Sequence, residues 1–229
     1  MNAHEPQPGR RVLLVGATGL VGREALRQLL ADDTVSQVRA LVRRPISPQA
    51  LLGLTTSPAG LARLEVCVAD FERLTQHPEW FVVDTVCCAL GTTIAVAGSQ
   101  AAFRRVDFDY PLQIAQLARA QGAQQFLLVS ALGASARSRV FYSRVKGELE
   151  EALQQLSYPH VSVARPSLLV GERGEFRLGE WLGLKFGWLM PATYRPVQAA
   201  QVAAGLLASA RANVPGWHVL TNRQLRAMR

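Results

Sequence analysis

Tyr142 and Lys146 stand four residues apart in the segment FYSRVKGELE. On a helix that spacing puts both side chains on one face. An ammonium beside a phenol favours the phenolate, which prepares the phenol to give a proton to, or take one from, a substrate oxygen. Lys146 is one of only two lysines in the chain. Ser130 precedes Tyr142 by twelve residues, and its hydroxyl is a candidate to orient the same oxygen. Tyr-x-x-x-Lys alone is also what an ordinary amphipathic helix contains, so the surrounding elements decide its meaning.

A second group of residues has the spacing of an anion cradle. Residues 16–22 read GATGLVG, between an apolar run and a helical pattern. The chain must turn sharply at Gly16. Gly19 lets a pyrophosphate approach the backbone, and Gly22 lets the next helix pack close to the sheet. Amides at the helix N-terminus then face the phosphates, helped by the helix dipole. Gly16, Thr18, Gly19, Leu20, Val21 and Gly22 are therefore the expected pyrophosphate contacts; the alternative is a tight turn without a ligand. About twenty residues on, an NAD-binding fold offers an acidic residue to the ribose diol. This chain has Val42-Arg43-Arg44-Pro45 instead. Two guanidinium groups suit a 2′-phosphate through forked, charge-assisted hydrogen bonds. The expected cofactor is NADP(H) in preference to NAD(H), with Arg43 the principal contact and Arg44 in support. The alternative is a pair of solvated arginines at a strand end. Asp70 is placed to accept from an adenine amino group with Phe71 beside the ring, or to cap a helix that a core aromatic follows. The small residues of Ala89-Leu90-Gly91-Thr92 let the backbone pass beside the ribose and nicotinamide.

These groups need strands that end where they begin. Apolar runs at 11–16, 36–42, 63–69, 82–90, 125–130 and 160–165 read as strands buried on both faces. Helical patterns cover 19–31, 99–121, 140–157 and 197–211, with Pro111 expected to kink or divide the second. A weak segment carrying Pro45, Pro48 and Pro58 follows the second strand. The alternation predicts an α/β fold, a doubly wound Rossmann-like parallel sheet. Residues 1–9 read as a short flexible tail. After Pro166 the pattern loosens into a small C-terminal substrate lobe from about 166, without a linker that would make it independent. Its segment 175–190 carries Trp181, Phe186, Trp188, Leu189 and Met190. That segment is a candidate lid over a small-molecule substrate, a surface for a homodimer or protein partner, or a cap on the core.

Composition narrows the function classes. The chain has 229 residues, 49% hydrophobic and 18% charged, which is globular and long enough to bury a core without metals or disulfides. Its three cysteines exclude a closed disulfide framework. Cys87 and Cys88 are expected on opposite faces of one strand. No Cys or His pair has zinc spacing, and His4, His77, His160 and His218 have no evident partners; no metal is expected. The net charge of +8 invites a nucleic-acid reading, but no basic run exceeds two residues, and none is expected as a partner. MNAHEPQPGR lacks the apolar core of a secretory signal, and no apolar run is long enough for membrane insertion. Reduced thiols fit a cytoplasmic protein.

GATGLVG, VDFDYPLQIAQLARAQGAQQFLLVSALGA, FYSRVKGELE and ARPSLLVGER followed by GEWL together resemble the short-chain dehydrogenase/reductase superfamily, and within it the atypical Tat-interacting-protein type, over about residues 10–211. The resemblance implies a nicotinamide cofactor and a Ser-Tyr-Lys set, here Ser130, Tyr142 and Lys146. It also implies that Lys146 hydrogen-bonds the nicotinamide ribose. The segment beginning Arg165-Pro166-Ser167-Leu168 would cover the nicotinamide. Two features depart from the pattern. Asp107 and Asp109 stand where many members carry a proton-relay Asn, and Ala131 follows Ser130 where some relatives have a second hydroxyl. The lobe is short for a sugar epimerase, which disfavours a nucleotide-sugar substrate. An NADP(H)-dependent oxidoreductase acting on a small carbonyl or alcohol is the expected function. The alternative is an NADPH-sensing regulator that reports to a protein partner without turnover.

Overall fold

Runs of β-branched and leucine residues between glycine turns form the strands, because both faces of each can be covered by helices. The computed structural model describes residues 9–52, 57–170, 191 and 193–228. The chain runs β1 (Arg10–Val15), α1 (Leu20–Ala31), β2 (Val35–Val42), α2 (Pro48–Leu52), α3 (Pro58–Ala62), β3 (Leu64–Val68) and β4 (Thr85–Cys88). It continues through α4 (Ile94–Ala97), α5 (Gln100–Arg104), α6 (Tyr110–Ala120), β5 (Gln125–Val129), α7 (Phe141–Gln154) and β6 (His160–Arg165). Then come β7 (Leu169–Val170), β8 (Val197–Gln198), α8 (Ala199–Ala212), β9 (Gly216–Thr221) and α9 (Asn222–Arg226).

Seven strands form one sheet in the order β3-β2-β1-β4-β5-β6-β9, and every neighbouring pair is parallel. This is the doubly wound Rossmann-like sheet expected from the alternation, with one strand more. β9 was not among the expected strands. It lies at an edge and is half-covered along most of its length, so it lacks the continuous apolar run of a central strand. β7 and β8 make a separate two-stranded parallel pair.

Two cores cover the two sheet faces. One gathers Ala25, Leu26, Leu29 and Leu30 of α1 with Val202, Ala203, Leu206 and Leu207 of α8. The other gathers Ile114, Ala115 and Ala118 of α6 with Leu149 and Leu153 of α7. Cys87 belongs to the first and Cys88 to the second, as alternation along a strand requires. The stretch expected as a long helix or two abutting ones over 99–121 is α5, a π-helical turn at Arg105–Asp109 and α6. Pro111, which has no N–H to continue the ladder, follows the π turn in the first turn of α6, so the regular helix is interrupted just before the proline. Residues 197–226 join the main layers through α8 and β9. Residues 1–8 of the tail expected at 1–9, the lobe segment 171–190 and its apolar stretch 175–190 lie outside the described residues.

Side chains tie the N-terminal ends of the strands to neighbouring backbone. Arg63 donates to the carbonyls of Leu30, Asp32 and Val35 at 2.5, 2.9 and 2.6 Å. Gln125 donates to the Ala210 carbonyl at 3.0 Å and accepts from the Thr85 hydroxyl at 2.8 Å. His160 Nδ1 donates to the Val214 carbonyl at 2.7 Å, which leaves Nε2 to meet Ser162 Oγ at 2.9 Å. Burial holds the His160 pKa below its ordinary value, so the ring stays neutral there.

Candidate functional site

The strand order reverses between β1 and β4, the crevice where open α/β sheets bind ligands. Both glycine constraints of the β1–α1 turn are visible there. Gly16 has φ +87°, and a Cβ on it would meet the Ala89 carbonyl oxygen at 2.5 Å. A Cβ on Gly22 would lie 2.0 Å from the Gly16 carbonyl oxygen. The turn is thus pressed against the end of β4 and the first turn of α1 against the glycine turn. Gly19 is the N-cap, so no side chain caps α1, and its first turn holds no acidic residue. The first-turn amides of a helix have no intrahelical acceptor. Val21 and Gly22 are buried, whereas Thr18 is exposed. This uncapped, glycine-walled turn fits a pyrophosphate.

Arg43 and Arg44 follow β2 directly and are both exposed. Among the described residues neither has a hydrogen bond or a carboxylate partner. Asp70 Oδ1 accepts from the Glu72 amide at 3.0 Å, and buried Phe71 packs against Tyr110 with ring centroids 5.2 Å apart. Asp70 caps a turn and not the helix expected of it, since the 3-10 turn that follows begins only at Leu74, while Phe71 is a core aromatic. Asp70 remains exposed at the end of β3.

α7 carries Tyr142 and Lys146 on one face. Tyr142 packs against Phe103 of α5, with ring centroids 5.5 Å apart. Lys146 is buried, and its Nζ lies 2.8 Å from Asp107 Oδ1 in an ion pair whose side chains are 4% and 0% exposed. The other Asp107 oxygen accepts from the Thr92 amide at 2.9 Å. A Cβ on Gly91 would stand 3.5 Å from Asp107 Oδ1 and 3.7 Å from Lys146 Nζ, so the Leu90-Gly91-Thr92 backbone borders the pair. Burial pushes the Lys146 pKa down, but the Asp107 carboxylate, with Tyr142 after it, more than restores it, and the net direction is up. Asp107 and Asp109 were both candidates for the relay position. Asp107, in the π turn, is the one that turns inward, on the buried face with Phe103, Pro111 and Ile114, and meets Lys146. A π-bulge at such a position is common at functional sites.

Ser130 is buried, and its hydroxyl donates to Glu150. Glu150 lies one further turn along the Tyr142–Lys146 face and is itself buried. It also receives Arg165, whose Nε stands 3.2 Å from each carboxylate oxygen. The proton of Ser130 and the guanidinium of Arg165 are thus both held by Glu150. Pro166 accepts from the Leu132 amide at 2.7 Å, and the Ser167 hydroxyl donates to the Arg195 carbonyl at 2.6 Å. Buried Asn222 accepts from the Ser167 amide at 3.0 Å and donates to the Thr193 and Arg195 carbonyls, while Leu168 is 37% exposed. Glu150 and Asn222 escaped the sequence reading. The 142, 146, 150 spacing was a signal for the first; nothing local marked the second.

Gly147 locks this region together. A Cβ on it would meet the Ser135 carbonyl carbon at 2.1 Å, so α7 touches the loop that follows β5. Ser135 N also donates to the Ser143 carbonyl at 3.0 Å.

Breaking the Glu150 network should be expensive. Glu150→Ala leaves the Ser130 hydroxyl and the Arg165 charge without their acceptor. Removing one partner of a buried pair costs about 3–5 kcal/mol, and Arg165 is a third exposed, so about 3 kcal/mol is expected. Glu150→Gln, which keeps an acceptor for Ser130, should lose less. Urea unfolding of both variants checks the ranking.

A family model described as NAD(P)H-binding matches residues 16–209, from the glycine turn through α8. The chain belongs to the NAD(P)H-binding family. Within it the nearer likeness is to Tat-interacting-protein-like proteins. Protein HTATIP2 of Rattus norvegicus is 36% identical over 194 residues, covering 84% of this chain and 76% of that protein. "Protein fmp52, mitochondrial" of Emericella nidulans is 33% identical over 218 residues, covering 86% of this chain and 88% of that one. Solved structures share the fold at low identity. A UDP-N-acetylglucosamine 4-epimerase from Methanobrevibacter ruminantium gives a TM-score of 0.69 at 12% identity, over 94% of this chain and 77% of that one. The Bordetella bronchiseptica enzyme WbmG in complex with NAD gives 0.64 at 14%, over 93% and 73%. Among the described residues no helix is long and apolar enough to cross a membrane, and no cluster of His, Cys, Asp and Glu could hold a metal ion.

Proposed function

We propose that this NAD(P)H-binding-family protein is an NADP(H)-dependent oxidoreductase acting on a small carbonyl or alcohol. The observation that carries the reading is the Tyr142–Lys146 face of α7, with the ammonium buried beside the Gly91–Thr92 backbone at the crevice. The chemistry a bound nicotinamide supplies there is the donation and acceptance of hydride. Gly16, Thr18, Gly19 and the amides of Leu20, Val21 and Gly22 would hold the pyrophosphate. Asp70 and Phe71 would border the adenine. Ala89, Leu90, Gly91 and Thr92, with Arg165, Pro166, Ser167 and Leu168, would border the nicotinamide end. Tyr142 gives or takes the proton at the substrate oxygen. Lys146 holds the ribose and sets the field around the phenol. Ser130 stays in the set, the substrate oxygen competing with Glu150 for its proton. The free, buried cysteines support a reducing compartment such as the cytoplasm, although Fmp52 relatives carry the label mitochondrial.

The preference for NADP(H) rests on Arg43 and Arg44, two exposed guanidinium groups without carboxylate partners among the described residues. A charge-assisted hydrogen bond contributes about 1.5–3 kcal/mol. Arg43→Ala should therefore weaken NADPH binding by roughly 10- to 100-fold and leave NADH binding nearly unchanged. Fluorescence titration of both proteins with both cofactors reads this directly. Equal affinity of the unmodified protein for NADPH and NADH would sink the 2′-phosphate argument.

A further inference from the structure

Oxidation and reduction ask opposite things of Tyr142. Taking a proton from an alcohol needs the phenolate; giving one to a carbonyl oxygen needs the phenol. A lone buried ammonium one helical turn away would favour the phenolate. Here the ammonium is not alone. Asp107 Oδ1 lies 2.8 Å from Lys146 Nζ, and neither side chain is open to water.

Around Lys146, α7 contributes Tyr142, the π turn contributes Asp107, and β4 contributes Cys88. Burial pushes the Cys88 thiol up to about 11, so it is neutral at physiological pH. The Gly91 and Thr92 backbone that borders the pair adds no charge. The Thr92 amide fixes the second carboxylate oxygen at 2.9 Å, which keeps Asp107 aimed at Lys146. The phenol thus faces a compact pair of zero net charge. Opposite charges so close largely cancel at a third point farther away.

We infer that Asp107 is a positioning residue that holds the Lys146 ammonium in a charge-neutral pair and so keeps Tyr142 in its proton-donating form, setting the site for carbonyl reduction. This rests on Tyr142 being the acid/base of the proposed oxidoreductase. The charge balance itself is a property of the cofactor-free chain and can be read without turnover.

The test is a pH titration of the protein labelled with ¹³C at tyrosine Cζ. The chain has four tyrosines, and Tyr142→Phe assigns the resonance. Tyr110, pushed up to about 12 by burial and by Glu72, will not interfere. Asp107→Asn keeps an acceptor for the Thr92 amide and removes only the charge, but burial would then lower Lys146 itself, so the cation is kept as an arginine. In Asp107→Asn/Lys146→Arg the Tyr142 midpoint should move at least about one pH unit lower, the shift an uncompensated neighbouring cation produces. Asp107→Asn/Lys146→Met removes both charges and should titrate within about half a unit of the unmodified protein. The methionine variant decides even if the arginine one does not fold. If Lys146 acts on the phenol alone, removing both charges raises the midpoint by about a unit or more, and the inference fails. An unchanged or raised midpoint in Asp107→Asn/Lys146→Arg also overturns it. A purely structural role for Asp107 moves neither midpoint in this pattern. NADPH titration of the same samples separates this outcome from loss of the cofactor reading.

Discussion

Tyr142→Phe is expected to bind NADPH as the unmodified protein does and to lose turnover of a carbonyl substrate by about 10²–10⁴-fold, the usual contribution of a positioned acid/base. The substitution removes one oxygen. The ring keeps its contact with Phe103, so the seat of α7 against α5 is preserved. Because the cofactor contacts proposed are mainly those of the β1–α1 turn and the end of β2, affinity should not follow activity down. The measurement pairs NADPH titration with a carbonyl screen followed by loss of NADPH absorbance. If both proteins turn over equally, the proton comes from elsewhere. If both bind NADPH and neither turns over any substrate in a broad screen, the weight moves to a sensing protein.

Gly22→Ala should abolish useful dinucleotide binding. Its Cβ would stand 2.0 Å from the Gly16 carbonyl oxygen and 3.0 Å from Ala17 Cα, both backbone atoms that cannot rotate away. α1 must move off the turn, and the amides proposed to face a pyrophosphate move with it. A misplacement of about 1 Å in such a site costs about 10²-fold. Overpacking also costs about 1–3 kcal/mol, offset in part by the better helix propensity of alanine, about 1 kcal/mol. Binding should therefore suffer more than stability. Calorimetric NADPH titration and urea unfolding of the same preparation compare the two. Affinity within a few-fold of the unmodified protein would show that the close approach does not hold the cradle in place.

The central strands were legible because parallel strands covered on both faces are continuous apolar runs, as in RVLLV and QFLLV. The glycine turn was legible because backbone proximity leaves no other residue type. β9 was not, since an edge strand needs only partial cover and GWHVLT shows no clear period. The π turn was equally hidden. Nothing in VDFDY marks it. Tyr142 and Lys146 could be paired from spacing, but the state of Lys146 could not, because its charge is balanced by a residue from another element. Ser130 illustrates the same limit. Its position at the end of β5 was readable, yet the direction of its proton depends on Glu150 of α7.

The side-chain ties of Arg63, Gln125 and His160 all lie at the N-terminal ends of the strands, while the groups proposed for chemistry lie at the opposite ends. The two rims are thus fastened differently, the first by side chains that hold backbone carbonyls, the second by the buried charge pairs Lys146–Asp107 and Glu150–Arg165. A substitution at the second rim touches the proposed chemistry and the stability of the fold together, whereas one at the first touches the fold alone.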